Sequence, residues 1–464
     1  MKTAIVWLRR DLRLSDNPAL VAAAERAERV VPVYLWSPQD EGDWAPGAAA
    51  RWWIHESLTR LRQDLEGRGS RLVIRRGPAE EALPALVEEV SAGGVFWNRL
   101  YDPALVERDR RIKTALRESG QEAESFAAGL LFEPWTVSTG SGGPYRVFTP
   151  YWRACQKRPE PQPPLKPPDS LAAPGRWPDS LDVPDLELLP KIPWYRSLAD
   201  AWTPGESGAH GRLGAFIAHA LEGYDADRDR PDREGVSRLS PYLHHGELSP
   251  RQVWHAVTAR RGAAPERDIE AYLRELGWRE FAHHVLFHFP QTPTEPMYEK
   301  YADFPWREDY DALLEAWQAG RTGVPMVDAG MRQLWETGWM HNRVRMIVAS
   351  LLVKNIRAPW QAGARWFWDT LVDADLANNT MGWQWSAGCG ADAAPYFRIF
   401  NPVTQGRKFD PEGRYVRRWV PELADLSNRD IHGAADPPPD GYPAPVVDLK
   451  TSREEALAAL KSVG

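Results

Sequence analysis

Across the first 130 residues, short apolar runs alternate with longer amphipathic stretches, and this alternation constrains the fold more than any other feature. Four apolar runs are typical of strands, at residues 4–8, 30–35, 71–75 and 94–97. The other stretches carry apolar residues at helical spacing, at residues 19–27, 51–66, 79–90 and 103–118. Strands that alternate with helices predict a parallel sheet with helices on both faces, which is a doubly wound, Rossmann-like α/β domain. The pattern leaves the strand order open.

A proline-rich stretch interrupts this pattern. Prolines are concentrated between residues 159 and 193, and proline lacks the backbone N–H that regular helices and sheets need. We therefore predict an extended surface connector over residues 131–205, between an α/β domain at 1–130 and a second domain at 206–464. Beyond residue 206 helical spacing dominates, which predicts an all-α second domain with helices at 211–222, 249–261, 267–288, 310–318, 327–337, 342–354 and 361–371.

Length and composition narrow the class of protein. The 464 residues are too many for one core. The chain shows no signal peptide and no run near the roughly 18 apolar residues of a membrane span. Its two cysteines give neither a disulfide framework nor a zinc spacing, so we expect a cytoplasmic protein without a metal site. A net charge of −7 excludes a uniformly basic nucleic-acid binder but allows a local basic patch.

Seven segments carry distinctive combinations of residues. They are WLRRDLRLSDNPAL (7–20), SRLSPYLHHGELSPRQ (237–252), ELGWREFAHH (275–284), FPW (304–306), MHNRVRMIVASLL (340–352), WFWDTLVDADLANNTMGWQW (366–385) and DAAPYFRIFNPVTQG (392–406). In this order, and almost end to end, the chain resembles the photolyase/cryptochrome family. Within that family it is most similar to the class I cyclobutane pyrimidine dimer photolyases.

The resemblance implies that the helical domain binds FAD. Segment 237–240 offers hydroxyls and N–H groups at a predicted helix start, which suits phosphate, although alone it could be an ordinary helix cap. Val236 stands where many relatives have threonine, so one hydroxyl contact is lost or replaced. The implied cofactor-binding residues are Tyr224, Ser237, Arg238, Leu239, Ser240, Tyr272, Glu275, Asn342, Arg345, Asp373, Asp375 and Asn379.

Two of these positions have particular chemistry. A buried pair between Arg345 and Asp373 is tolerable only if both charges are paired and hydrogen-bonded. The family position opposite flavin N5 corresponds to Asn379, and its amide can donate or accept a hydrogen bond. Several signalling relatives have a carboxylate or a thiol at that position. The assignment depends on register, because Asn378 is its neighbour.

The chain contains 23 tryptophans, more than either phenylalanine or tyrosine. Trp383, Trp360 and Trp306 match the family's electron-hopping chain from the buried flavin to the surface. Aromatic core packing is the alternative for any single tryptophan. These three, together with Glu275 and Asn379, form the predicted catalytic set. The tryptophan chain would serve photoreduction of the flavin and need not take part in repair.

The resemblance also implies a lesion pocket, since photolyases are known to extrude their target bases. Trp278 and Trp385 would clasp the damaged pyrimidines, with stacking worth about 1–3 kcal/mol per base. Glu275 would bond a base edge or donate a proton, although alone it could be a surface carboxylate. Asn342 and Met346 occupy positions where relatives that repair (6-4) photoproducts have histidines, which favours the cyclobutane dimer.

Basic residues predict where DNA docks. Between residues 321 and 357 six Lys or Arg stand against two acids, although such a helical face can also be merely solvated. Phosphate contacts predict an affinity that falls steeply with salt. The candidate phosphate contacts are Arg228, Arg343, Lys354 and Arg357. The predicted DNA-binding and lesion-binding set is Arg228, Glu275, Trp278, Asn342, Arg343, Met346, Trp385 and Gln405.

The resemblance therefore implies light-dependent DNA repair, in which reduced, anionic FAD lends an electron to the dimer and recovers it. A second chromophore, a folate or a deazaflavin, is expected in the α/β domain, where Glu107 lies near a position used by folate-binding members. The expected partner is UV-damaged DNA and the expected state is a monomer. Two alternatives are a cryptochrome-type photoreceptor, disfavoured by the short stretch after residue 406, and a flavoprotein electron carrier that does not act on DNA.

Overall fold

The computed structural model describes residues 1–393, 398–433 and 437–463. Its strands are β1 (Thr3–Leu8), β2 (Arg29–Trp36), β3 (Val73–Arg76), β4 (Gly94–Asn98) and β5 (Glu122–Phe126). They form one sheet in the order β3-β2-β1-β4-β5, with every neighbouring pair parallel. The predicted parallel sheet is therefore confirmed. Strand β5 was not predicted, because this short edge strand is largely polar.

Helices cover both faces of the sheet. They are α1 (Pro18–Arg26), α2 (Ala48–Glu66), α3 (Ala79–Glu89) and α4 (Pro103–Glu118). Side chains of the central strand β1 alternate between two cores, with Val6 in one and Ile5 and Trp7 in the other. A strand buried on both faces is typical of a doubly wound sheet. The α/β prediction is confirmed.

The connector is only partly irregular. Its proline-rich stretch, residues 159–193, contains no α-helix or strand, only a 3₁₀ turn at Val183–Leu186. This stretch wraps the sheet, because the Val30 N–H donates to the Ala172 carbonyl at 3.0 Å and Leu171 is buried in an α/β core. Flanking residues form α5 (Phe148–Gln156) and α6 (Arg196–Ala201), so the prediction of an extended connector throughout 131–205 is wrong.

Helix α5 has a clear physical basis. Its buried residues recur at helical spacing and enter a core of the helical part: Phe148, Tyr151, Trp152 and Cys155. Prolines are frequent in the surrounding segment, so this short periodic pattern was not predicted to be a helix. The domain boundaries at residues 130 and 205 stay a proposal.

Beyond residue 205, the described residues form α-helices and 3₁₀ or π-helical turns joined by loops. The α-helices are α7 (Glu206–His219), α8 (Tyr224–Asp227), α9 (Ser240–His244), α10 (Pro250–Thr258), α11 (Glu266–His288), α12 (Asp311–Gln318), α13 (Pro325–Thr337), α14 (Asn342–Ser350), α15 (Trp360–Thr370), α16 (Leu376–Ala387), α17 (Pro402–Phe409), α18 (Arg414–Trp419) and α19 (Leu449–Lys461). A π-helical turn, Leu351–Ile356, continues α14. Among the described residues, no helix is both long and apolar enough to cross a membrane.

The loop that follows β1 packs directly on the helical part. The Arg13 guanidinium donates to the Gly246 carbonyl at 2.8 Å, and Arg251 pairs with the buried Asp16 at 2.7 Å. Gly246 has a φ of 67°, and a Cβ there would lie 2.0 Å from the Arg10 carbonyl oxygen. Only glycine therefore allows the two backbones to approach this closely.

Candidate functional site

Predicted cofactor residues from three separate segments lie together beside α11. Tyr224 packs edge-on against Tyr272, with ring centroids 5.1 Å apart. The Tyr272 hydroxyl is hydrogen-bonded to the Ser237 side chain. Burial raises the pKa of both tyrosine hydroxyls, so both stay neutral near pH 7. The structure thus assembles the start of the predicted cofactor site.

Arg238 lies in the turn before α9, with a left-handed φ of 52°. Its guanidinium pairs with Glu234 at 3.0 Å and lies 5.1 Å from the centre of the Trp339 ring, whose N–H donates to the Ser240 hydroxyl. Burial lowers the pKa of Arg238, and its buried Nε has no hydrogen-bond partner among the described residues. A cationic group with a spare N–H beside serine hydroxyls fits a phosphate of FAD.

The Arg345–Asp373 pair forms as predicted. Arg345 Nη2 donates to both carboxylate oxygens of Asp373, at 3.0 and 2.8 Å, and its Nε donates to the Met340 carbonyl at 2.8 Å. The Asp373 side chain is 3% exposed and that of Arg345 is 24% exposed. The charges are therefore paired and hydrogen-bonded, which is the condition for burying them.

Asp375 caps the N-terminus of α16. One carboxylate oxygen accepts the Asn378 N–H at 2.9 Å, and the other lies 3.5 Å from His244 Nδ1 and 3.4 Å from His283 Nε2. Burial would raise the pKa of Asp375, but His283 and His244 outweigh it and hold that pKa well below its ordinary value. Both oxygens thus have protein partners, and a direct contact between Asp375 and FAD stays a prediction.

The two adjacent asparagines have different partners. The Asn378 side chain donates to Asp375 at 2.6 Å, so it belongs to the helix cap. The Asn379 side chain donates to the Ala364 carbonyl of α15 at 3.0 Å. The side chain of Asn378 is therefore part of the helix cap, and Asn379 stays the residue predicted to face the flavin.

The three predicted electron-transfer tryptophans span core and surface. Trp383 and Trp360 are each 2% exposed and belong to one hydrophobic core, on α16 and α15 respectively. Trp306 is partly exposed and packs against the same core. This gradient of burial suits a path from a buried flavin to the surface, and electron transfer along it stays a prediction.

The predicted lesion contacts lie further along α11. Glu275 forms an ion pair with Arg228 at 2.7 Å, and each side chain is about one quarter exposed. Burial raises the pKa of Glu275, which Arg228 opposes. Trp278 is partly exposed and stacks on Phe148 of α5, with centroids 3.7 Å apart. Trp385 is also partly exposed.

The other residues predicted to select the lesion lie at the start of α14. Asn342 is exposed, Met346 is partly exposed one turn later, and Arg343 between them pairs with Asp229 at 2.6 Å. His341 caps this helix and accepts the Arg343 backbone N–H at 3.1 Å. Burial lowers the pKa of His341 to about 4, so this histidine is a neutral structural residue near pH 7.

Two family models match the chain. DNA photolyase matches residues 4–169, and the FAD binding domain of DNA photolyase matches residues 272–462. The chain belongs to the DNA photolyase family. The matched FAD-binding domain makes this a flavoprotein family, as the motifs indicated. Part of the last motif, residues 394–397, lies outside the described residues.

Relatives of the chain include both photo-lyases and cryptochromes. The chain is 48% identical to a deoxyribodipyrimidine photo-lyase of Agrobacterium fabrum, over 100% of this chain and 99% of that protein. It is 40% identical to Cryptochrome-2 of Arabidopsis thaliana, over 99% of this chain and 79% of that protein.

A solved photolyase structure is similar over the whole chain. The crystal structure of a class III photolyase from Agrobacterium tumefaciens has a TM-score of 0.96 at 48% identity, covering 100% of this chain and 98% of that one. The two-domain photolyase fold is therefore confirmed. The narrower class I prediction finds no support in these matches and stays a prediction.

Two of the proposed phosphate contacts need correction. Lys354 is 1% exposed and donates to the Ala387 carbonyl at 2.5 Å, so the prediction that it contacts DNA is wrong. It lies on the inner side of the π-helical turn, where burial lowers the pKa of its amino group well below the ordinary value. Arg357 pairs with Glu455 at 3.3 Å, so the basic stretch is less positive than its sequence suggests. Gln405 lies partly exposed on α17.

The site of a second photolyase chromophore is not evident. Glu107 is exposed on α4 and pairs with Arg110 at 2.6 Å, as an ordinary surface carboxylate does. At the carboxyl edge of the sheet Arg10 bridges Asp102 and Glu41, both at 2.6 Å, and leaves a cavity of about 50 Å³. Ligand pockets usually exceed about 300 Å³, so a folate or deazaflavin does not fit there without rearrangement. The antenna stays a prediction.

Sequence reasoning missed some residues of the site. Phe148 supports Trp278 from a segment predicted to be a linker, and its helical spacing was the available signal. Asp229 pairs with Arg343 across 114 residues of sequence. His244 and His283 flank Asp375 from separate helices. No local pattern reveals such long-range pairs.

Proposed function

We propose that this chain uses light to split cyclobutane pyrimidine dimers in DNA. One helix face carries the proposal: α11 places Tyr272, Glu275 and Trp278 at intervals of three residues, so a cofactor contact and the lesion contacts share one side of a helix. The 48% identity to a deoxyribodipyrimidine photo-lyase supports the same reaction. FAD, when bound, supplies the absorption of light and the transferred electron.

The aromatic residues of the site position the damaged bases. Trp278 is stacked on Phe148, so its ring is held in one orientation before DNA arrives. A preorganised ring loses little entropy on binding, and stacking contributes about 1–3 kcal/mol per base. Trp385 offers a second partly exposed ring.

Glu275 acts on the polar edge of the bases. Burial raises the pKa of this carboxyl, so it can hold a proton more readily than a solvated glutamate. Arg228, 2.7 Å away, opposes that shift and offers a cation toward the DNA. In this proposal Glu275 donates a hydrogen bond or a proton to a pyrimidine carbonyl.

The polar residues around the cofactor keep it oriented. Arg238 and the serine hydroxyls bind its phosphates, and the Arg345–Asp373 pair lies beside α16. The Asn379 amide, oriented by the Ala364 carbonyl, offers a neutral group to the flavin ring. A neutral group there tolerates a negatively charged flavin better than a carboxylate would.

The decisive experiment follows dimers in an oligonucleotide under light and in the dark. We expect light-dependent loss of dimers by the FAD-loaded protein and none in the dark. Trp278→Ala should weaken binding of the damaged oligonucleotide about 5- to 150-fold, the equivalent of one lost stacking contact. Trp135→Ala is the matched control, because that ring is 49% exposed outside the proposed pocket.

The photoreceptor alternative rests on the 40% identity to a cryptochrome. It predicts a protein that is photoreduced in light but leaves the dimer content of the oligonucleotide unchanged. Unchanged dimers with a fully reduced flavin would therefore refute repair. An equal effect of Trp278→Ala and Trp135→Ala would refute the proposed pocket alone.

A further inference from the structure

The segment that contains Arg228 is not basic overall. Between residues 224 and 238 it carries five acids and four arginines. Each acid is paired with an arginine: Asp225 with Arg267, Asp227 with Arg233, Asp229 with Arg343, Asp232 with Arg230, and Glu234 with Arg238. Only one of these pairs, Asp229–Arg343, engages a residue predicted to contact a DNA phosphate.

The Asp229–Arg343 pair is close and partly exposed to solvent. Arg343 Nη2 lies 2.6 Å from Asp229 Oδ2, and the side chains of Arg343 and Asp229 are 18% and 36% exposed. The Arg343 guanidinium also lies 4.4 Å from the centre of the Phe409 ring. The aromatic contact orients the guanidinium, and the carboxylate occupies part of its hydrogen-bonding edge. A phosphate can take the place of the carboxylate at Nη2 only if Asp229 moves away.

Asp229 also lies next in sequence to Arg228, the other arginine proposed to contact DNA. After burial, Arg228 and Arg274, its charge is a smaller influence on Glu275, whose pKa it helps to raise. The single carboxylate therefore acts on both sides of the proposed docking surface. A negative charge at this position repels every phosphate that approaches Arg228 or Arg343.

We propose that Asp229 competes with a DNA phosphate for Arg343 and thereby limits the affinity of the protein for DNA backbone. This inference rests on the proposed function. Carboxylate and phosphate are alternative partners for a guanidinium, and phosphate contacts are the same on damaged and undamaged DNA. Asp229 thus weakens sequence-independent binding and leaves the stacking contacts of the lesion pocket untouched. Weak backbone binding shortens the time spent on the large excess of undamaged sites.

The test measures dissociation constants of the FAD-loaded full chain for an undamaged duplex over a range of salt concentrations. Asp229→Asn keeps the size of the side chain and removes the charge. We expect about three- to tenfold tighter binding at low salt. We also expect a steeper salt dependence, by about 0.9 in the slope of log affinity against log salt, because one more phosphate contact releases one more counterion.

Asp225→Asn is the matched control. It removes the same charge from the same segment, but its partner Arg267 is 71% exposed and is not among the proposed DNA contacts. Its effect on the dissociation constant should stay below about twofold. In an Arg343→Gln background, Asp229→Asn should lose most of its effect, because no guanidinium is left to release.

Three results would overturn the inference: unchanged or weaker binding by Asp229→Asn, an equal gain in Asp225→Asn, or an undiminished gain in the Arg343→Gln background. Failure of the proposed function would look different. In that case the unmodified protein would leave dimers intact under light, whatever the affinity of Asp229→Asn for the undamaged duplex. Flavin absorbance of each variant checks that the site is folded.

Discussion

The indole ring of Trp383 lies directly against the Cα of Gly363. A Cβ added at Gly363 would be 2.1 Å from the nearest ring carbon of Trp383, well inside contact distance. The two residues belong to neighbouring helices, α16 and α15. The absence of a side chain at Gly363 therefore sets the position of the innermost tryptophan of the proposed electron path.

Gly363→Ala should displace that ring. Overpacking of this kind costs about 1–3 kcal/mol in the free energy of unfolding, and a displaced ring should slow photoreduction of the bound flavin. Thermal unfolding and flavin absorbance under illumination measure the two effects. The control is Gly214→Ala on α7, where a Cβ meets nothing within 4 Å, so that helix propensity should stabilise it by up to about 1 kcal/mol. Equal behaviour of the two variants would contradict the proposed packing constraint.

Trp383→Phe should abolish most photoreduction and spare repair. Phenylalanine preserves much of the packing but is far harder to oxidise than indole. We expect a flavin that stays oxidised under light, while chemically reduced protein repairs dimers at the unmodified rate. The control is Trp254→Phe, which lies in the other helical core and whose indole N–H bonds to no described residue. Loss of repair in chemically reduced Trp383→Phe would argue against a route used only for photoreduction.

Asp373→Asn should weaken both folding and cofactor retention. The substitution leaves Arg345 half-buried without its counter-charge. Breaking a fully buried pair costs about 3–5 kcal/mol, and since Arg345 is 24% exposed we expect about 2–3 kcal/mol. Glu89→Gln, at the exposed pair with Arg75, should cost less than about 1 kcal/mol. The ratio of flavin to protein absorbance and the unfolding midpoint measure the outcome. Full flavin content with unchanged stability would contradict a role for this pair in folding and in cofactor binding.

Glu247 gives a pH dependence to stability. It is fully buried between α2 and the helical part and accepts the Trp53 indole N–H at 3.1 Å and the Gly205 N–H at 2.6 Å. Burial outweighs these bonds and raises the pKa of Glu247 from 4.5 to about 7. The native state therefore binds more protons than the unfolded state in that window, and stability falls as pH rises from about 4.5 to about 7.

Glu247→Gln removes this titration. The variant should lose less stability than the unmodified protein between about pH 5 and pH 8, by up to about 3 kcal/mol. Denaturant unfolding at several pH values measures the difference. Glu89→Gln, unfolded under the same conditions, is the control for loss of a carboxylate at an exposed ion pair. Parallel curves for Glu247→Gln and the unmodified protein would mean that Glu247 is ionised in the folded state throughout this range.

Local patterns predicted most of the fold because the spacing of apolar residues over a few positions already indicates which side chains of a helix or strand are buried. The strands of the α/β part and the longer helices follow directly from such periods. Strand β5 was not predicted, because an edge strand needs fewer apolar residues. Helix α5 was not predicted, because nine residues give a weak signal of periodicity. Its four buried positions nevertheless have the spacing of a helix.

One contact between predicted site residues followed from the motifs, but others did not. Family motifs indicated a pair between Arg345 and Asp373, and the structure brings the two into contact. A count of basic residues, by contrast, misjudged Lys354, because charge counting does not reveal which way a helix faces. Arg343 was indicated as a phosphate contact, yet its carboxylate partner lies 114 residues away.

The amino-acid sequence alone determined the division into an α/β part and a helical part and the photolyase family, and it predicted which residues contact a flavin and a lesion. Periodicity and motifs are local properties of the sequence, so they can be recognised without a structure. Only the tertiary structure decided which charges are neutralised, which tryptophans are buried, and that Asp229 stands against Arg343. Those outcomes depend on contacts between distant segments, whose electrostatic and packing energies arise only when the chain is folded.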